Sequence, residues 1–118
     1  MQERPIIKTA IPKRRYQAGR YTASLLAEIE SGDGRSYRYI LGFVAQGQVE
    51  PALYVCSEPT PPSERAEGAY RLRVVSEVMT ETLDTDDDWG DLDRFAEQAL
   101  RVGIQMLGLP ESGIVRLM

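Results

Sequence analysis

Asp84-Thr85-Asp86-Asp87-Asp88-Trp89-Gly90-Asp91-Leu92-Asp93 is where this chain changes period. Upstream, apolar and polar residues alternate as they do in a half-buried strand. Downstream, Trp89, Leu92, Ala96, Ala99, Gly103 and Met106 recur at three and four residues, with Phe95, Leu100, Val102 and Leu107 widening the stripe. That is the period of an amphipathic helix. Asp88 stands where an N-cap is needed, Asp91 takes the place of a capping-box acid three residues on, and Gly108 and Pro110 close the helix. The junction therefore divides a sheet from the single helix that covers it.

Working back from the junction, residues 69–83 read as one long strand, with Tyr70, Leu72, Val74 and Val78 on one face and Arg71, Arg73, Val75, Glu77, Met79 and Glu81 on the other. Glu58-Pro59-Thr60-Pro61-Pro62 opens a proline-rich segment, 58–68, expected as an extended, mobile surface loop. Residues 52–57 form a short strand behind Pro51, which suits an edge position or a bulge. Residues 36–46 form another, apolar on both faces beyond Tyr39, as in a strand that is central or covered twice. Residues 21–30 are a strand with Tyr21, Ala23, Leu25, Ala27 and Ile29 on one face, ended by the turn Ser31-Gly32-Asp33-Gly34.

Residues 1–20 are expected as a basic, flexible arm. Pro5 and Pro12 exclude a regular helix there, while Ile6, Ile7 and Ile11 would let part of it lie along a sheet edge. The tail Ser112-Gly113-Ile114-Val115-Arg116-Leu117-Met118 suits a last edge strand or packing on a neighbour. The expected fold class is thus α+β. An antiparallel meander of four strands or slightly more is followed by one long C-terminal helix on one face, in a single domain over 21–118.

Composition narrows function by exclusion. The 118 residues include no histidine and one cysteine, so Ser-His-Asp, Cys-His and Cys/His zinc chemistry within one chain drop out. Cys56, within Leu53-Tyr54-Val55-Cys56, reads as a buried core thiol. An enzyme would rely on carboxylates, tyrosine or arginine, and the dense acids sit in an exposed junction where burial does not tune them. No catalytic residue and no cofactor is called for. The chain holds no apolar run of membrane-spanning length, and its first residues lack the pattern of a secretory signal, so a cytoplasmic protein with no membrane partner is expected.

Net charge is −4, but its distribution says more: residues 1–20 carry +5 and residues 77–111 carry −8. Opposite ends of opposite sign can dock on each other within one chain or between two. Three candidate sites follow. Asp86, Asp87, Asp88 and Asp91 would receive a basic segment, the chain's own arm included. Asp84, Asp86 and Asp88 have the odd-numbered spacing of a calcium or magnesium cage, although Trp89 stands where its sharp turn requires glycine and Phe95 where it requires a bidentate glutamate. Lys13, Arg14, Arg15 and Arg20 on the arm, with Arg38, Arg71 and Arg73 on a sheet face, would bind single-stranded nucleic acid. By strict alternation the neighbouring tyrosines lie opposite those arginines, which favours a core role for them. The leading expectation is a non-catalytic interaction or assembly module. It would associate as a homodimer or with another protein through the sheet face and helix, because the doubly apolar strand needs a cover.

Overall fold

A computed structural model describes residues 4–118. The period change at the junction is where sheet gives way to helix. Before it run β1 (Ile7–Ala18), β2 (Tyr21–Ser31), β3 (Tyr39–Ala45), β4 (Leu53–Pro59), β5 (Tyr70–Ser76) and β6 (Thr80–Asp86); after it come α1 (Leu92–Leu107) and β7 (Val115–Arg116). The strands form one antiparallel sheet in the order β6-β5-β4-β3-β2-β1-β7, so the architecture is α+β with a C-terminal helix. The meander is larger than four strands because β1, the β5–β6 hairpin and the tail strand β7 each add to it.

At the first end, the segment expected as a flexible arm is β1 from residue 7 to 18, paired with β2 from Ile7↔Ser31 to Ala18↔Tyr21. Its prolines do not prevent this, because an edge strand tolerates a missing donor. Pro12 lies beside register shifts that bulge the strand. Residues 1–3 of the expected arm lie outside the described residues. At the other end, the single strand expected over 69–83 is a hairpin. The Ser76 N–H donates to the Met79 carbonyl at 2.8 Å, and the Val78 N–H donates to Ser76 Oγ at 3.3 Å. A serine-closed turn needs neither glycine nor proline, so no punctuation marks it. The proline-rich segment also holds structure: residues 62–67 form a 3-10 helix, and the buried Thr60 bridges to Gly68 O at 2.7 Å.

The helix begins three residues later than the first cap suggests. Asp86 caps a 3-10 turn over Asp87–Gly90, and Asp91 is the N-cap of α1, accepting from the Arg94 N–H. Gly108 ends it in the left-handed conformation, as its lack of Cβ allows. Phe95, Ala96, Ala99 and Val102 pack on Tyr39, Leu41, Phe43, Val55 and Val74. Phe43 and Phe95 are wholly buried, each worth about 1.5–3 kcal/mol. At the closest approach, a Cβ on Gly103 would enter the Phe43 ring.

The opposite face of the sheet is covered too. Tyr37, Ile40, Tyr54, Cys56 and Val75 form a second cluster, with Ile7 and Ile29 packed against it. Pro51 lies over Gly42 in the middle of β3. The strand that is apolar on both sides is therefore satisfied within one chain, and its pattern does not by itself call for a second subunit. No helix among the described residues is long and apolar enough to cross a membrane.

Candidate interaction surfaces

The acids of the junction are occupied by the backbone that they start. Asp86 Oδ1 accepts from the Asp88 N–H at 2.9 Å, Asp87 Oδ1 from the Ala69 N–H at 2.8 Å, and Asp91 Oδ2 from the Arg94 N–H at 3.0 Å. Asp88 pairs with Arg94 at 3.2 Å. These four were the expected receiver of a basic segment, and each already holds a donor. Asp84 lies exposed on β6 opposite Leu72, so Asp84, Asp86 and Asp88 do not converge. Among the described residues no group of three or more His, Cys, Asp or Glu is placed to hold a metal ion. The turn itself is tied to the sheet: Ser57 Oγ donates to Trp89 O at 2.5 Å, and Gly90 lies against the Tyr70 ring where a Cβ would not fit. Beside it, Asp88, Trp89, Arg94, Glu97 and Gln98 line a cavity of about 460 Å³.

Outside that set, one base of β1 lies on an acid of the helix. Arg14 donates to Asp93 on the first turn of α1, a contact that raises the Arg14 pKa. It ties the edge strand to the helix across the core face.

The seven basic candidates do not form one surface. Lys13 pairs with Glu28 at 3.7 Å. Arg15 and Arg20 are exposed, on β1 and in the turn after it. Arg38 turns to the junction, its Nε 3.3 Å from Gly90 O and its guanidinium 5.0 Å from the Tyr39 ring centre. Arg71 and Arg73 do share the face opposite the helix. Arg73 is buried there, its Nε 2.5 Å from Glu58 Oε2, while Arg35 reaches the other oxygen of Glu58 at 3.2 Å. The tyrosines divide between faces: Tyr39 belongs to the helix-side core, Tyr37 and Tyr54 to the second cluster.

That second face is crossed by the segment before β1. Pro5 is buried, the Ile6 N–H donates to Asp33 Oδ2 at 3.1 Å, and the Gly32 N–H donates to Ile6 O at 2.7 Å. Asp33 also accepts from Tyr37 Oη at 2.6 Å and from the Arg35 N–H at 2.9 Å. Burial pushes the Asp33 carboxyl up, but these donors outweigh it and hold the group below the ordinary aspartate range. Burial, then Asp33, pushes the Tyr37 hydroxyl up. Burial also pushes the Cys56 thiol up, as expected of a thiol inside a core.

A further surface lies at the end of the sheet opposite the junction. The β3–β4 loop and the β5–β6 turn stand side by side there, and their tips carry Val49 and Val78, each 91% exposed. Between them Arg4, Gln48, Glu50, Pro51 and Glu77 border a cavity of about 350 Å³. Arg4 and Glu50 pair across it at 3.4 Å. Sequence reading misses this surface because Val78 fits a strand face when the turn goes unseen. Val49, alone in a polar turn, is the signal that was there to be read.

Compared with known families, curated proteins and solved structures, the chain finds no match.

Proposed function

We propose that this chain is a non-catalytic interaction module that self-associates, with the loop end as its contact surface. The supporting observation is the pair of fully displayed valines on adjacent tips, flanking a cleft that carries both a cation and carboxylates. A twofold contact must be self-complementary. This set is: valine tips would meet valine tips, and Arg4 of one copy would face Glu77 of the other. Sheet face and outer helix face support the reading less. The first carries its own covering segment, and the second is polar, with Glu97 and Arg101 pairing along it at 3.5 Å. A contact made by the tips of two loops should be weak and concentration-dependent.

Sedimentation velocity over a concentration series tests this. The wild type should shift from monomer toward dimer. Val49→Ser combined with Val78→Ser should weaken the association constant at least tenfold, or about 1.4 kcal/mol, with unchanged circular dichroism. A wild type that stays monomeric to its solubility limit, or a double variant that dimerises equally well, would end the proposal. No single observation favours the nucleic-acid reading over this one, since Arg14, Arg38 and Arg73 are engaged within the fold.

A further inference from the structure

The β5–β6 hairpin carries, on the face away from the helix, a cation that no ion pair with a described residue takes up. Arg73 lies opposite Cys56 and Arg71 opposite Glu58, so both arginines stand on the face of the second cluster. Each oxygen of Glu58 already takes a guanidinium: Arg73 Nε donates to Oε2 at 2.5 Å and Arg35 to Oε1 at 3.2 Å. Arg71 is left over. Among the described residues it meets no carboxylate and no hydrogen-bond acceptor; its Nε is buried without a partner, while its Nη groups reach solvent. With Nε enclosed, the guanidinium is held against the sheet and presents its open Nη pair as two donors in fixed geometry. The edge strand supplies hydroxyls beside it, Thr85 opposite Arg71 and Thr82 opposite Arg73. Residues three apart on a regular strand point to opposite faces, and the register shift between Leu72 and Arg73 admits the extra residue that puts both threonines on one face. Neither hydroxyl holds a hydrogen bond among the described residues. Asp84, opposite Leu72, and Asp86, opposite Tyr70, fall on the helix side, so these acids of the junction do not pair with Arg71.

We propose that Arg71, Thr85 and Thr82 form an oxyanion site on the β5–β6 hairpin, and that it takes the phosphate group of a small ligand, as the free ion or as a monoester. The Arg71 Nη pair takes two phosphate oxygens, since a guanidinium matches an oxyanion bidentately. The Thr85 hydroxyl, directly across the strand pair, donates to a third, and Thr82 closes the rim. A carboxylate has only two oxygens, which the guanidinium alone satisfies, so the threonines distinguish phosphate from it. The anion also supplies the counter-charge that Arg71 lacks within the fold. Because the donors lie on an edge strand with Thr82 exposed and Thr85 half-buried, the site is open to solvent and binding is weak, in the millimolar range for the bare ion. The inference is independent of the loop-end contact, with which it shares no residue.

Amide and arginine side-chain N–H resonances of the full-length protein would be followed by NMR during titration with inorganic phosphate, phenyl phosphate and acetate at constant ionic strength. Phosphate should give saturable shifts at the Arg71 Nε–H and at the Thr82 and Thr85 amides, and acetate should bind at least about tenfold more weakly. Tighter binding of phenyl phosphate would assign the site to a monoester, and equal binding to the free ion. Arg71→Gln should weaken phosphate binding at least about tenfold, and Thr85→Val, which keeps the side chain's shape without its hydroxyl, about threefold or more. The wild-type titration is decisive by itself should either variant fold poorly. No saturable shift at these three residues in millimolar phosphate would overturn the inference. So would an equal response to acetate, or binding that both variants leave unchanged.

Discussion

At the residue scale, charge in this protein is mostly committed to neighbours, and two groups show what that commitment is worth. Asp33 has a depressed pKa in the folded chain, so its contribution is present above the unfolded value, about 3.9, and is lost as pH falls through the lower folded value. Asp33→Asn should therefore cost about 1–2 kcal/mol at neutral pH, as expected for hydrogen bonds to a charged acceptor. The difference from wild type should start to narrow below about pH 3.9 and close once the pH is under the lower folded value. Urea melts at a series of pH values would show this, and a gap that stayed constant into acid would refute it. Glu58 is buried against Arg73 and also receives Arg35. Glu58→Ala should destabilise by about 3 kcal/mol, because removing one partner leaves a buried charge without its closest counter-ion. A cost below about 1 kcal/mol in denaturant unfolding would place the pair among surface ion pairs instead. Neither role is legible from sequence: Asp33 reads only as a turn residue, and Glu58 as the start of a proline-rich loop.

At the element scale, α1 is the part most readable in advance. The stripe of Phe95, Ala96, Ala99 and Val102 is the buried face, and Gly108 supplies the left-handed cap. The start shifted from Asp88 to Asp91 because Asp86 caps a 3-10 turn over Asp87–Gly90, held to the sheet by Ser57, and Asp91 caps the helix itself. Gly103 gives a prediction on which propensity and packing disagree. Helix propensity alone would have Gly103→Ala stabilise by about 1 kcal/mol. The Phe43 ring occupies the space that the new methyl needs, so the net effect should be destabilisation of about 1–3 kcal/mol. Thermal melting of the variant decides the sign, and a rise in Tm would show that Phe43 can move aside. In the sheet, alternation identified β2, β3 and β4, yet it ran through the turn at Ser76–Met79, because a serine side chain closes that turn without a break in hydrophobic period.

At the scale of the whole molecule, the sheet sits between two unequal cores. The helix covers one, the segment of residues 4–7 and Pro51 lie over the other, and the strands that contribute to both, β3, β4 and β5, hold the centre. Hydrogen exchange should follow that geometry, with amides of Leu41, Val55 and Val74 slowest and those of Thr82, Leu83 and Val115 on the edge strands fastest. Equal protection of β4 and β6 would contradict it. Both edges are also blunted against pairing with other chains. β1, which β7 covers only at Tyr16 and Gln17, carries Pro12, Lys8, Lys13 and its bulges, while β6 carries Glu81, Asp84 and a register shift opposite Leu72 and Arg73. Bulges, proline and charge on an edge oppose sheet extension between molecules. The self-association proposed above uses the loop end instead, where backbone groups are not the contact.

The sequence by itself determined the class of this protein: strands before the junction, one amphipathic helix after it, a cysteine inside the core, and opposite charge at opposite ends. These are local properties, carried by period, capping chemistry and composition. Only the tertiary structure decided that residues 7–18 extend the sheet, that Arg14 docks on Asp93, that residues 4–7 reach the second face, and that the loops carrying Val49 and Val78 lie at one end of the sheet. Each of these pairs residues far apart in the chain. A sequence pattern states which face of an element is apolar, but not which distant segment arrives to cover it.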